Sequence, residues 1–207
     1  MRSFEVIDSH VLVIGSGGAG VRAAIEASFS GDTVMVSKTI AGKGGCTTMA
    51  EGGYNAVLRE TDSCEDHFLD TLKGGAYLND RELARILVDD APGRIADLLC
   101  WGAVFDVTGD CEVAQRPFGG QRFPRTCYAG DRTGHEMMMT LLDRLASTDV
   151  EVFNEIAIID LLKDGDSVAG AVGLDEKGDI VIVRAEPTVL ATGGGTRIYE
   201  ISTNSSS

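Results

Sequence analysis

An unbroken apolar run that passes directly into a glycine turn constrains this chain more than any other feature. His10-Val11-Leu12-Val13-Ile14 shows no polar alternation, as expected of a strand buried on both faces of a parallel sheet. Gly15-Ser16-Gly17-Gly18-Ala19-Gly20 follows, and Val21, Ala24, Ile25 and Ser28 then recur at the spacing of one helix face. Gly31 ends that helix, and Thr33-Val34-Met35-Val36 reads as a second strand. The three pieces form a βαβ unit over residues 10–37. The turn fits the pattern G-x-G-x-x-G, whose glycines allow a tight turn, close approach of a pyrophosphate, and close helix–strand packing. The helix start then presents unpaired N–H groups and a partial positive charge to the phosphates. The acid expected about 20 residues further on, to hold a ribose hydroxyl, is absent. The second strand ends instead at Ser37-Lys38, and the motif by itself does not say which dinucleotide is bound.

Glycine is abundant, 26 of 207 residues, and sixteen fall in clusters at 15–20, 42–53, 74–75, 119–120 and 193–195. Clusters between apolar segments mark places where backbone approaches a ligand, whereas low-complexity disorder would scatter them. The net charge of −14 argues against a nucleic-acid surface, which needs clustered Lys and Arg. No apolar run reaches the roughly 18–20 residues of a membrane span, and the N-terminus lacks a signal-peptide core, so a cytoplasmic location is expected. Cys46, Cys64, Cys100, Cys111 and Cys127 have the spacing of neither a disulfide framework nor a metal site. No metal is expected.

Residues 39–56 have no period and read as an irregular loop. Ser63 with Asp66 opens a short helix to Lys73, and Asn79 with Glu82 resembles a capping box for a helix through Leu83, Ile86, Leu87, Ile95, Leu98 and Leu99. Pro92 is expected to kink or divide it. Thr133 with Glu136 is a third such start, making a helical insertion over about 60–146. His67 and the Asp62/Glu65/Asp66 group read as solvated. A β-meander is expected over about 150–186, from Val150–Phe153 to Ile180–Arg184, and a return strand over 188–192. The fold class is thus α/β, a Rossmann-like domain with a parallel sheet plus a small antiparallel meander.

With these pieces in order, the chain resembles the flavoprotein subunit of the succinate dehydrogenase/fumarate reductase family. The resemblance rests on Val13–Gly20, Ser37-Lys38, Ala50-Glu51-Gly52-Gly53-Tyr54-Asn55-Ala56 and Arg116-Pro117-Phe118-Gly119-Gly120-Gln121. It continues through Ala129-Gly130-Asp131-Arg132-Thr133-Gly134-His135 and Val189-Leu190-Ala191-Thr192-Gly193-Gly194. Members of that family are much longer, which implies that residues 1–207 are the first part of an FAD-binding domain, broken near Ser202-Thr203-Asn204, without the capping domain. The resemblance gives the loop Gly15, Ser16, Gly17, Gly18, Ala19 and Gly20 to the FAD pyrophosphate, and Ser37 and Lys38 to the adenosine ribose. It places Cys46, Thr47, Thr48, Ala50, Glu51, Gly52 and Gly53 along the isoalloxazine ring, Ala157 by the adenine, and Ala191, Thr192 and Gly193 beside the pyrophosphate. Gly52, Phe118 and Gly119 would lie near substrate.

The resemblance implies hydride transfer between the flavin and a C4 dicarboxylate, fumarate or succinate, with an iron–sulfur subunit as electron partner. Its catalytic arginines and histidines belong to later segments, so no catalytic residue is assigned here and these residues alone are expected to be inactive. Many members attach FAD through a histidine at the position of Cys46; none of His10, His67 and His135 is nearby in sequence, and FAD is expected to be non-covalent. Aspartate oxidase, a sibling, carries an acid where this chain has Phe118. An acid suits a substrate ammonium and repels a plain dicarboxylate, so Phe118 favours fumarate or succinate. An aspartate oxidase-type enzyme and a non-catalytic FAD-binding remnant are the alternatives.

Overall fold

The computed structural model describes residues 4–195 and 198–202. In chain order the elements are β1 (Phe4–Asp8), β2 (Val11–Ile14), α1 (Gly18–Ala27), β3 (Thr33–Val36), β4 (Tyr54–Asn55), α2 (Cys64–Gly74) and α3 (Arg81–Cys100). They continue with β5 (Gln115–Arg116), β6 (Thr126–Cys127), α4 (Thr133–Leu145), β7 (Glu151–Phe153), β8 (Ala157–Asp164), β9 (Ser167–Leu174), β10 (Ile180–Arg184) and β11 (Thr188–Leu190). The chain divides into one unit of residues 1–49 and 141–207 and another of residues 50–140. Of the expected break at Ser202-Thr203-Asn204, Thr203 and Asn204 lie outside the described residues.

The first unit is layered. Its parallel sheet has the order β11-β2-β3-β7, with the two most apolar strands, β2 and β3, in the middle and fully buried. α1 packs on one face through Val21, Ala24 and Ile25. On the other face Leu12, Ile14, Val34 and Val36 share a core with Ile156, Ala171, Val181 and Val183 of a second sheet, ordered β1-β10-β9-β8. Because successive strand residues point to opposite faces, a run apolar at every position is what a strand covered on both sides requires.

Two expectations change here. The meander begins at Ala157 rather than at 150, because β7 pairs in parallel with β3 and is the edge strand of the parallel sheet. The return strand is Thr188–Leu190, shorter than 188–192. β1, absent from the sequence reading, pairs in parallel with β10.

In the second unit, α2 and α3 pack through Phe68, Leu72, Ala84 and Val88. Ser63 caps α2 as expected: its hydroxyl accepts the Asp66 N–H at 3.0 Å and donates to the Asp66 carboxylate at 2.8 Å. The cap of α3 is Asp80, not Asn79, and accepts the N–H groups of Glu82 and Leu83 at 3.0 Å. α3 runs unbroken through Pro92. Its buried face is Ala84, Val88, Ala91, Ile95 and Leu98, while Leu83, Ile86 and Leu87 are exposed. Small side chains face α2 because closely packed helices leave no room for larger ones. The box expected from Thr133 and Glu136 does not form. Thr133 is itself the first helical residue and its hydroxyl accepts the Ala129 N–H at 3.1 Å, while the Glu136 carboxylate accepts the Val104 N–H at 2.8 Å. The helical insertion also holds a small three-stranded sheet, β4-β6-β5.

Candidate functional site

In the first unit, the C-terminal ends of β11, β2 and β3 meet the N-terminus of α1. From β2 the chain leaves to β3 on one side, while β11 lies on the other, so the strand order reverses between β2 and β11. In open α/β sheets a crevice at such a reversal is the binding site. The glycine turn fills the position in close contact. Gly15 has φ +113°, and a Cβ there would overlap the Ala191 carbonyl; one at Gly20 would overlap the Gly15 carbonyl. The Ala191 N–H donates to Ile14 at 2.8 Å, which brings the Ala191-Thr192-Gly193 segment to the turn.

Gly17 is the N-cap of α1 and makes no side-chain cap; the first turn holds no acid. An electropositive helix start without a neighbouring carboxylate suits an anionic ligand. Thr47 closes over it, accepting the Gly18 N–H at 3.2 Å on its hydroxyl. Thr48 bends its hydroxyl back onto the Gly42 and Gly44 carbonyls, and Cys46 is exposed between them. Ser37 is buried at the end of β3 and shares a 2.6 Å hydrogen bond with the Ser16 hydroxyl, tying the strand end to the glycine turn. Its carbonyl accepts the Ile156 N–H at 3.0 Å, so the start of β8 at Ala157 lies beside it. Lys38 is exposed. The geometry thus gathers residues 15–20, 37, 47, 157 and 191 around one mouth.

The second unit holds the remaining candidates. Ala50 accepts the Gly134 N–H at 2.7 Å and so caps the start of α4. Gly53 has φ +129° and lies against Thr126 and Cys127, where a Cβ would overlap the Cys127 carbonyl closely. A Cβ on Gly52 would come within 3.2 Å of the Phe118 ring. Phe118 itself is 53 % exposed, which separates it from core packing. Gly119 follows with φ +61°.

The sequence reading misses the polar network beneath this loop. Arg125 is fully buried and grips Asp62 through Nε and Nη2, both at 2.7 Å, and Asp70 through Nη1 at 2.8 Å. Arg122 reaches Asp70 at 2.8 Å and Asp66 at 2.7 Å. Asp62 is therefore not part of a solvated face; its side chain is 3 % exposed. His67 is likewise buried, and its Nδ1 meets no partner among the described residues. Burial, and then the Arg125 charge, lower its pKa. The available signal was the four-residue spacing of Asp66 and Asp70 on one face of α2, with Asp62 just ahead of its Ser63 cap. Burial pushes the Cys127 thiol up to about 11 and leaves it unreactive.

Compared with known proteins, residues 10–206 match the family described as FAD binding domain. The chain belongs to that family. It is 48 % identical, over 97 % of its length, to a fumarate reductase (CoM/CoB) subunit of Methanothermobacter marburgensis, of which it covers 38 %. It is 35 % identical, again over 97 %, to the fumarate reductase flavoprotein subunit of Escherichia coli, covering 34 % of it. Among solved structures it superposes on Escherichia coli quinol fumarate reductase with a TM-score of 0.92 at 34 % identity, over 97 % of this chain and 35 % of that one. On Mycobacterium smegmatis Sdh1 the TM-score is 0.91 at 38 % identity, over 97 % and 36 %. The chain spans little more than a third of the curated relatives it matches, between 34 % and 38 % of their lengths. Its fold is the FAD-binding domain of an oxidoreductase family, with FAD as cofactor. No helix among the described residues is long and apolar enough to cross a membrane.

Proposed function

We propose that this chain is the FAD-holding part of a fumarate reductase/succinate dehydrogenase-type flavoprotein subunit. The observation that carries the reading is the reversal point at the C-terminal ends of β2 and β11, where a glycine turn in close backbone contact with Ala191 meets an α1 N-terminus that has no side-chain cap from Gly17 and no acid in its first turn. Gly15, Ser16, Gly17, Gly18, Ala19 and Gly20 would hold the pyrophosphate, with Ala191, Thr192 and Gly193 beside them. Ser37 and Lys38 would address the ribose, and Ala157 the adenine. Thr47 and Thr48 would lie by the ring, as would Ala50, Glu51, Gly52 and Gly53 of the second unit. FAD, when bound, supplies hydride transfer to or from a C4 dicarboxylate. The chain's own task is to bind, orient and present neutral surface.

Phe118 supports fumarate or succinate over aspartate, since no acid stands there to meet an ammonium group. The names of the relatives agree with the dicarboxylate reading. An iron–sulfur subunit is the proposed electron partner. Cys46, exposed where a histidine linkage would require an imidazole, supports non-covalent FAD.

Denaturing the purified flavoprotein tests both points. All flavin is expected in the supernatant and the polypeptide mass is expected to match the sequence alone. A mass increment located at Cys46 would overturn the non-covalent assignment. Titration with fumarate or succinate is expected to perturb flavin absorbance; a response to aspartate instead would favour the aspartate oxidase-type alternative.

A further inference from the structure

We propose that Asn154 is a positioning residue for FAD, mooring a strap of residues 40–48 over the α1 N-terminus so that the cofactor leaves only when the strap lifts. This rests on the FAD reading above. The strap, α1 and Asn154 all belong to the first unit. Residues 40–48 form turns but neither helix nor strand, so no ladder of backbone bonds keeps them in place. Hydrogen bonds tie the two ends down. At the base the Ala41 N–H donates to Asn154 Oδ1 at 2.8 Å, across 113 residues of sequence. At the tip the Thr47 hydroxyl accepts the Gly18 N–H at 3.2 Å, which sets it on the first turn of α1. Between them Gly42, at φ +75°, rests against Leu142, where a Cβ would overlap the leucine Cδ1. The Lys43 N–H closes a turn on the Ile40 carbonyl at 3.0 Å.

Asn154 makes a firm post because the chain on either side of it is bound to the parallel sheet. The Ser37 N–H donates to the Phe153 carbonyl at 2.9 Å, and the Ser37 carbonyl accepts the Ile156 N–H at 3.0 Å. Glu155, at φ +62°, makes the left-handed bend between those two bonds, and Ile156 anchors it in the core that the two sheets share. A residue other than glycine rarely adopts that conformation unless its surroundings impose it. The bend thus fixes Asn154 beside the end of β3, where the strap departs. Asn154 is exposed and its bond is a single uncharged one, so it adds little to the fold as a whole. Its leverage is local. On the FAD reading, a diphosphate at the α1 N-terminus lies under Thr47, and the balance between closed and lifted strap sets the rate of release.

Asn154→Leu and Asn154→Asp in the FAD-loaded flavoprotein separate the mooring from the fold. Leucine removes the acceptor at similar size, whereas aspartate keeps a side-chain oxygen at the same reach. Two rates are read: the appearance of free flavin fluorescence after dilution, and trypsin cleavage after Lys43, which is exposed on the strap, with each cut located by mass. The leucine variant is expected to release FAD about fivefold faster, the loss of one ordinary hydrogen bond, and to be cut after Lys43 faster by a similar factor. The aspartate variant is expected to be cut after Lys43 at the wild-type rate. FAD release unchanged by leucine would overturn the proposal. Equal acceleration of the Lys43 cut in both variants would do the same, since the acceptor would then not matter. Cleavage spread along the chain rather than at Lys43 would make Asn154 a general stabiliser and also overturn it. A wild-type protein that takes up no FAD would sink the FAD reading and this proposal together, whereas one that holds FAD and ignores the leucine exchange sinks this proposal alone.

Discussion

Gly17→Ala is expected to fold as the wild type does and to lose its FAD. Three glycines of the turn look alike in sequence but stand in different surroundings. At Gly15 and Gly20 a methyl group would strike the protein's own backbone, at the Ala191 and Gly15 carbonyls. Substitution there disrupts the turn before any ligand is involved. At Gly17 the backbone is ordinary, φ −73° and ψ −179°, and a Cβ would meet only the Thr47 hydroxyl oxygen at 3.7 Å, a normal contact. The protein therefore has no steric reason of its own for glycine there. Alanine at an N-cap costs about 1 kcal/mol or less relative to glycine. In a chain of this size that moves the melting temperature by roughly 2–4 °C. The methyl would instead occupy the space over the α1 N-terminus where a phosphate oxygen must approach the N–H groups. FAD affinity is expected to fall about a hundredfold, ~2.7 kcal/mol. Equilibrium titration of the deflavinated proteins with FAD, beside thermal melts, checks both halves. A variant that binds FAD normally would remove the phosphate from this mouth, whereas one that merely unfolds would contradict the open space at Gly17.

The same contrast explains how far the sequence could be read. Local signals were legible: the apolar β2 and β3, the turn between them, and the Ser63–Asp66 cap all act within a few residues. Pairings between distant residues were not. β1 is mostly exposed and is held by β10, so Phe4-Glu5-Val6-Ile7-Asp8 carries little pattern of its own. β7 follows α4 and precedes the meander, yet hydrogen-bonds to β3, a partner that sequence order does not reveal. In α3 the leucines and isoleucine at 83, 86 and 87 drew the first half of the helical stripe, although the face packed there is Ala84, Val88 and Ala91; Ile95 and Leu98, read into the same stripe, are buried. Pro92 removes one backbone donor, but Ala91, Ile95 and Leu98 are buried on both sides of it, and packing keeps the helix whole. Gly15, Gly20 and Gly53 have a steric reason in the packed backbone around them, whereas Gly17 was legible only through its place in the turn pattern. Arg116 was visible only as part of a motif, since the carbonyls its guanidinium bonds lie more than sixty residues away in sequence.

Arg125→Met should cause the largest loss of stability of any single exchange considered. The guanidinium is fully buried, with Asp62 and Asp70 side chains 3 % and 9 % exposed, and the three form one hydrogen-bonded cluster. Removing the cation strands the buried Asp62 carboxylate and leaves Asp70 to Arg122 alone, a cost of about 3–5 kcal/mol. The melting temperature at neutral pH is then expected to fall by roughly 10 °C. The pH dependence has a definite sign. Burial alone would raise the Asp70 pKa, but the Arg122 backbone N–H and the Arg125 and Arg122 side chains hold it at about 2; Asp62 is lowered by the same balance, with Arg125 dominant. Folded values below the unfolded ones mean the cluster's contribution is present above about pH 4 and is lost as pH falls toward 2. In the variant the stranded Asp62 carboxylate titrates upward instead, so acid neutralises it and relieves the strain. His67 acts in the same direction, because its lowered pKa reflects burial and then Arg125, and the second cause disappears. The difference in melting temperature between wild type and variant should therefore shrink between pH 7 and pH 3, and adding Asp62→Asn and Asp70→Asn should recover part of the loss at pH 7. A gap that stays constant across that range would mean the cluster is not ionised as its geometry requires. The effect reaches the candidate site because Arg122 and Arg125 pin the segment carrying Phe118 and Gly119 to α2, so looser binding of dicarboxylate should accompany the lower stability.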